Sequence, residues 1–140
     1  MDLKKIIHTT IAEVLDKQDL YQTEKKFVVD KKNHKFQLFL GDVLVSESQF
    51  SIEKSDEWFN QKYVTIFNLK TVEKFKGRGL AKYLLENIFD YVKNKLNINI
   101  ISLLVYKNNN KAVNLYLNTG FEIFQDFDGD EPSFTLIKKL

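Results

Sequence analysis

The stretch KYVTIFNLKTV, residues 62–72, constrains this chain most. It alternates on a period of two, with Val64, Ile66 and Asn68 on one side and Tyr63, Thr65, Phe67 and Leu69 on the other. Large or apolar side chains on both faces predict a strand in the middle of a sheet, with elements packed above and below it. After KFKGRG the period changes. Leu80, Ala81, Leu84, Leu85, Ile88 and Val92 mark one face of a helix running to about Lys95. A β-branched run, INIISLLVY, follows and reads as another strand. Strand, helix and strand in this order predict a parallel pair joined by a right-handed crossover.

The flanking segments complete a single-domain architecture. Leu3, Ile6, Ile7, Ile11, Val14 and Leu15 recur at helical spacing behind Asp2, which is placed to cap a first helix. KKFVVDKK, HKFQLFL and DVLVSESQFSIE are separated by Lys-Asn and Gly-Asp turn signals and read as a meander of three antiparallel strands. Residues 109–118 form a last helix stopped by Gly120, and FEIFQDF and SFTLIKKL form a hairpin around Asp128 and Gly129. The expected fold class is α+β (mixed α/β): one domain over residues 1–140, with a mixed, mostly antiparallel sheet of about seven strands flanked by helices.

Composition narrows the chemistry. The chain has 140 residues, 44% of them hydrophobic, with twelve Phe, enough apolar surface for a core without staples. It has no cysteine, so a disulfide framework, a thiolate nucleophile and Cys-ligated zinc or iron sites are excluded. The two histidines, His8 and His34, have no metal-ligand spacing, and no metal site is expected. A formal charge of +2 gives no argument for nucleic acid. The N-terminus carries Asp2 and lacks an uninterrupted apolar run, and no stretch reaches the roughly 18 apolar residues of a membrane span. A cytoplasmic protein with no membrane partner is expected.

The segment Lys76, Gly77, Arg78, Gly79, Leu80, Ala81 and Lys82 lies where a strand gives way to the first turn of a helix. Unpaired N–H groups and the positive end of the helix dipole make such a place an anion site. Two glycines allow positive φ and close approach of the backbone, while Lys76, Arg78 and Lys82 add positive charge. The physics asks for a phosphate-bearing ligand. Neither nucleotide fingerprint fits: a dinucleotide G-x-G-x-x-G loop would need Gly where Lys82 stands, and G-x-x-x-x-G-K-S/T is absent.

The loop resembles the R/Q-x-x-G-x-G/A diphosphate motif of the GNAT superfamily of N-acyltransferases, with Lys76 in place of Arg or Gln. NNKAVNLYLNTGFE is similar to that family's N-x-x-A-x-x-L-Y-x-x-x-G-F segment at Asn109, Ala112, Leu115, Tyr116, Gly120 and Phe121. The likeness is close from Tyr63 onward and limited to strand pattern before it. It implies an N-acetyltransferase that takes acetyl-coenzyme A as donor and an amine, on a small molecule or a peptide, as acceptor. It further implies that the loop amides hold the diphosphate and that the pantetheine arm pairs with the backbone of Lys70, Thr71 and Val72. The sheet is then expected to splay between its fourth and fifth strands. A main-chain N–H near residues 69–71 would stabilise the oxyanion, Asn109 would hydrogen-bond the arm, and Tyr116 would protonate the leaving thiolate.

No carboxylate stands inside VTIFNL or IISLLVY, and Leu104 occupies a position where some relatives carry Glu. Candidates for a base are therefore Glu47, Glu53, Asp56, Glu57 and the hairpin residues Asp126, Asp128, Asp130 and Glu131, or there is none. Trp58, the only tryptophan, is either an acceptor-side wall or a buried anchor. With no cysteine for a covalent intermediate, the expected reaction is direct attack in a ternary complex. The alternative is a coenzyme A-binding sensor or interaction module that performs no transfer. A monomer or a homodimer paired through the C-terminal strands is expected.

Overall fold

The computed structural model describes residues 23–140, so the expected first helix and His8 lie outside the described residues. Seven strands form one sheet: β1 (Lys25–Asp30), β2 (Lys35–Leu40), β3 (Val43–Glu53), β4 (Tyr63–Thr71), β5 (Ile100–Tyr106), β6 (Glu122–Phe127) and β7 (Ser133–Lys139). Their spatial order is β1-β2-β3-β4-β5-β7-β6. β1 to β4 form an antiparallel meander, β4 and β5 are parallel, and β7 lies antiparallel between β5 and β6. This is the mixed sheet that the periodicity predicts. Helix α1 (Leu80–Asn94) joins β4 to β5, and α2 (Asn110–Asn118) joins β5 to β6.

Leu80, Leu84, Leu85, Ile88 and Val92 of α1 are all buried. They enter one cluster with Phe36, Leu38, Val64, Ile66, Ile101, Leu103 and Val105 of the sheet, and Tyr116 of α2 and Phe121 join the same cluster. Both helices thus serve one sheet face. β4 accordingly departs from the two-sided burial expected of it. Val64 and Ile66 are buried, Tyr63, Thr65 and Leu69 are half-buried, and Phe67 is 44% exposed. On the same open side Leu104 and Tyr106 of β5 are exposed, because the described helices both cover the opposite side.

The end of α2 explains why a Tyr, a Gly and a Phe recur at those spacings. Gly120 takes φ 98°, which a residue with a Cβ adopts at a cost. The N–H of Phe121 then donates to the Tyr116 carbonyl at 3.1 Å and the N–H of Gly120 to Leu117 at 3.2 Å, the two bonds of a Schellman end. The hydrophobic contact that accompanies such an end is the edge-on pair Tyr116–Phe121, 5.5 Å between ring centres.

Candidate functional site

The glycine loop is built from an anchor outward. A 3-10 turn, Glu73–Phe75, follows β4 and plants Phe75 fully in the core. Phe75 N–H donates to Val72 O at 2.9 Å and Lys76 N–H to Glu73 O at 3.2 Å. The chain then turns outward through Gly77 at φ 78° and Gly79 at φ 77°. A Cβ on either glycine would meet nothing within 4 Å, so the space in front of the loop is open. Internal packing therefore does not require these glycines; the left-handed backbone does. The first intrahelical bond of α1 runs from Tyr83 N–H to Gly79 O at 3.0 Å. No side chain caps this helix start and no acid lies in its first turn. The amides of Leu80, Ala81 and Lys82 thus face forward at the positive end of the helix.

Charge at the loop is partly spoken for. Lys76 Nζ lies 2.8 Å from Glu73 Oε2, and the hydrogen bond from Lys76 holds the Glu73 carboxyl below its ordinary value. Arg78 and Lys82 are exposed beside it.

The end of β4 is shaped by a bulge against β3. Gln49 faces Phe67 and Glu47 faces Lys70, so two residues of β4, Asn68 and Leu69, lie opposite Ser48. Asn68 makes this possible by taking φ 52°, a conformation asparagine tolerates. Ser48 Oγ donates to Phe67 O at 3.1 Å and Ser46 Oγ to Lys70 O at 3.1 Å, while Val72 N–H donates to Val45 O at 2.9 Å. Lys70 and Val72 therefore turn their main-chain groups toward β3. By strand alternation Thr71 turns its N–H and C=O the other way, toward β5. There the registered β4–β5 pairs are Val64 with Ile101 and Thr65 with Ser102, and from Ile66 to Thr71 no residue has a registered partner on β5.

Asn109 caps α2, its side chain accepting from Ala112 N–H at 3.3 Å. Tyr116 is 8% exposed, and burial pushes its hydroxyl up to about 12. It is therefore protonated, and able only to donate a proton, throughout the neutral range.

The acidic candidates separate by occupation. Asp56 accepts from the N–H of Trp58 at 2.9 Å, the N–H of Phe59 at 3.0 Å and the Tyr63 hydroxyl at 2.6 Å. The Tyr63 bond, then that of Phe59, lowers its carboxyl, and the same contact raises Tyr63 to about 12. Glu53 Oε1 accepts from Ser51 Oγ at 2.6 Å. In the hairpin, Lys107 donates to both Asp126 and Asp128, which raise its ammonium above the ordinary value. Glu131, together with Asp128, lines a cavity of about 520 Å³ with Tyr106, Lys107, Asn108 and Pro132. Glu47 lines another, of about 530 Å³, with Lys35, Gln49, Asn68, Leu69 and Lys70. Trp58 is 52% exposed, edge-on to Phe124, so it is not the buried anchor.

Phe75, Ser46, Ser48 and the Asn68 bulge have no mark in the motifs or the apolar period of the sequence. A lone Phe in KFKGRG was the available sign of the anchor. Nothing in the period of β4 marks its bulge, because one left-handed residue leaves the apolar alternation before it intact.

Among the described residues no helix is long and apolar enough to cross a membrane. The model of the acetyltransferase (GNAT) family matches residues 6–121. Curated protein sequences yield no match. Solved structures do. Arabidopsis thaliana Naa50, in complex with the bisubstrate analogue CoA-Ac-MVNAL, is 20% identical with a TM-score of 0.64 over 100% of this chain and 95% of its own. Arabidopsis thaliana NAA60 in complex with acetyl-CoA is 19% identical with a TM-score of 0.66, covering 96% and 90%. A spermidine N-acetyltransferase SpeG chimera from Vibrio cholerae and hSSAT is 18% identical with a TM-score of 0.62, covering 78% and 68%.

Proposed function

This chain belongs to the acetyltransferase (GNAT) family, and from that premise we propose that it binds acetyl-coenzyme A and transfers the acetyl group to a primary amine by direct attack in a ternary complex. The observation that carries the reading is the loop before α1. Gly77 and Gly79 are both left-handed, the space where their Cβ atoms would lie is open, and the helix start behind them is uncapped. Those features fit a diphosphate approached by backbone, with Arg78, Lys82 and Lys76 around it. Thr71, facing the unpaired stretch between β4 and β5, suits a pantetheine arm that adds as a strand, flanked by Lys70 and Val72. The main chain at the bulge then lies beside the thioester oxygen and stabilises the charge that develops there. Tyr116 donates toward the sulfur, and Asn109, while capping its helix, offers its amide N–H₂ to the arm. Neighbours named for a peptide-bearing bisubstrate analogue and for spermidine support an amine as the acceptor class.

Calorimetric titration with acetyl-coenzyme A tests this. The wild-type chain is expected to bind at micromolar levels, and a variant with Gly77→Val and Gly79→Val to bind at least tenfold more weakly. Equal affinity of the two proteins rules out the loop as the diphosphate site. A coenzyme A-binding module without transfer gives the same titration and no acetylated product across an amine and peptide panel, which separates that second reading.

A further inference from the structure

We propose that Glu47 receives the acceptor ammonium and removes its proton, and that Lys70 holds that place in the free protein. The inference rests on the acetyltransferase reading and extends it to the acceptor. Glu47 is the cross-strand partner of Lys70, at the bulge whose backbone lies beside the proposed thioester position. Its side chain is only 12% exposed yet lines the 530 Å³ cavity with Lys35, Gln49, Asn68 and Leu69. The carboxylate is held in two ways. Gln37 Nε2 donates to Oε2 at 3.4 Å, and Lys70 Nζ lies 3.3 Å from Oε1. The lysine side chain is 72% exposed, so it leaves this pairing without disturbing the core. A primary ammonium on an unbranched alkyl stem therefore already fits the carboxylate.

Several other candidate carboxylates are already engaged, and Glu131 lines a separate cavity with Tyr106 and Lys107. Asp56 is filled by three donors, and Asp126 and Asp128 share Lys107. In the proposed step the acceptor enters as R–NH₃⁺ and displaces Lys70. Glu47 takes one proton, and the freed lone pair attacks the thioester carbon. The C–N bond forms as the C–S bond breaks. A second nitrogen proton compensates the thiolate, directly or by way of Tyr116, and Glu47 returns its proton to water. With Lys35 and Lys70 both flanking the carboxylate, the cavity suits a monocationic alkylamine on a neutral or anionic body and opposes a polyamine.

The test measures acetyl transfer to N-α-acetyl-lysine, with spermidine as counter-probe, from about pH 6 to pH 9, for wild type, Glu47→Gln and Lys70→Met. Acetyl-coenzyme A affinity is followed by calorimetry. Glu47→Gln is expected to lower kcat/KM for N-α-acetyl-lysine roughly 100-fold at neutral pH, with a deficit that narrows as pH approaches the amine's own value near 10.4. Its acetyl-coenzyme A affinity stays within about twofold of wild type, and Lys70→Met lowers KM for the amine several-fold by removing the competitor. A wild-type kcat/KM in Glu47→Gln, a deficit equal at every pH, or a raised KM in Lys70→Met overturns the inference alone. Turnover of spermidine in preference to N-α-acetyl-lysine overturns the charge assignment of the cavity. Absence of acetyl-coenzyme A binding to the wild type removes the transferase reading and this inference with it.

Discussion

Tyr116 has a structural part that its contacts define and a chemical part that we propose for it. Its ring closes the Schellman end of α2 against Phe121, and burial raises its hydroxyl to about 12. A coenzyme A thiol resembles an ordinary thiol near 8.5, so outright transfer from such a tyrosine to the thiolate runs uphill. In the proposed reaction the hydroxyl would therefore act as a hydrogen-bond donor to charge developing on sulfur. Tyr116→Phe keeps the ring contact and loses the donor. We expect kcat to fall roughly 100-fold at most, with acetyl-coenzyme A affinity near wild type, as read by steady-state rates and calorimetry. The same raised value has a consequence for stability. Below about pH 10 the hydroxyl is protonated in folded and unfolded chains alike; between about 10 and 12 only the unfolded chain ionises, so stability falls as pH rises. Two pKa units correspond to roughly 2–3 kcal/mol. Urea unfolding at about pH 9 and pH 12 should show a loss of at least that order in wild type and a smaller one in Tyr116→Phe, which retains only the contribution of Tyr63.

At the level of elements, α2 shows where cap and ligand roles part. Asn109 accepts from Ala112 N–H, and loss of such a cap costs about 1 kcal/mol. Asn109→Ala should show that loss in urea unfolding. Asn109→Asp keeps the acceptor and the stability but surrenders the amide N–H₂, so weaker acetyl-coenzyme A binding at unchanged stability identifies the second role. Unaltered binding in both variants leaves Asn109 as a cap alone. The described helices and strands were legible where their apolar periods are unbroken: Leu80, Leu84, Leu85, Ile88 and Val92 announce α1, and the β-branched run announces β5. The turn before α1 was legible because two glycines at a strand-to-helix passage mark positive φ, which Gly77 and Gly79 both take. The exposure of Phe67 on β4 has no sign in the sequence, because periodicity reports which residues share a face and not how far that face is covered. The bulge went unseen because Asn68 adopts its left-handed angle without any compositional sign, and with it went the cross-strand meeting of Glu47 and Lys70. Contacts of this kind depend on register, which a slip of one residue reverses.

The whole sheet is two antiparallel blocks, β1-β2-β3-β4 and β5-β7-β6, that meet along β4 and β5 through two registered pairs and share the core beneath α1 and α2. Most of the seam thus depends on side-chain packing under one face, while the main chain from Ile66 to Thr71 has no registered partner on β5. A ligand arm lying in that seam would give Thr71 a partner and couple the blocks by backbone hydrogen bonds as well. Such a ligand binds the folded chain and not the unfolded one, so at a hundredfold excess over its Kd it adds about 2.7 kcal/mol to stability. For a domain of this size that shifts Tm by roughly 5–15 °C. The location of the effect matters more than its magnitude. Hydrogen exchange in the presence of acetyl-coenzyme A should slow at Thr71 and the amides after Gly79. At Val72, whose N–H already bonds Val45, it should change less. Slowing should also extend into β5 beyond Ser102, because strands no longer open independently once the arm spans them. Coenzyme A without the acetyl group should reproduce most of this pattern, since diphosphate and arm make the contacts. If protection stops at β4 and α1 while β5, β7 and β6 exchange as in the free protein, the ligand lies along one block only. The stretch of β4 without a registered partner on β5 would then play no part in binding the donor.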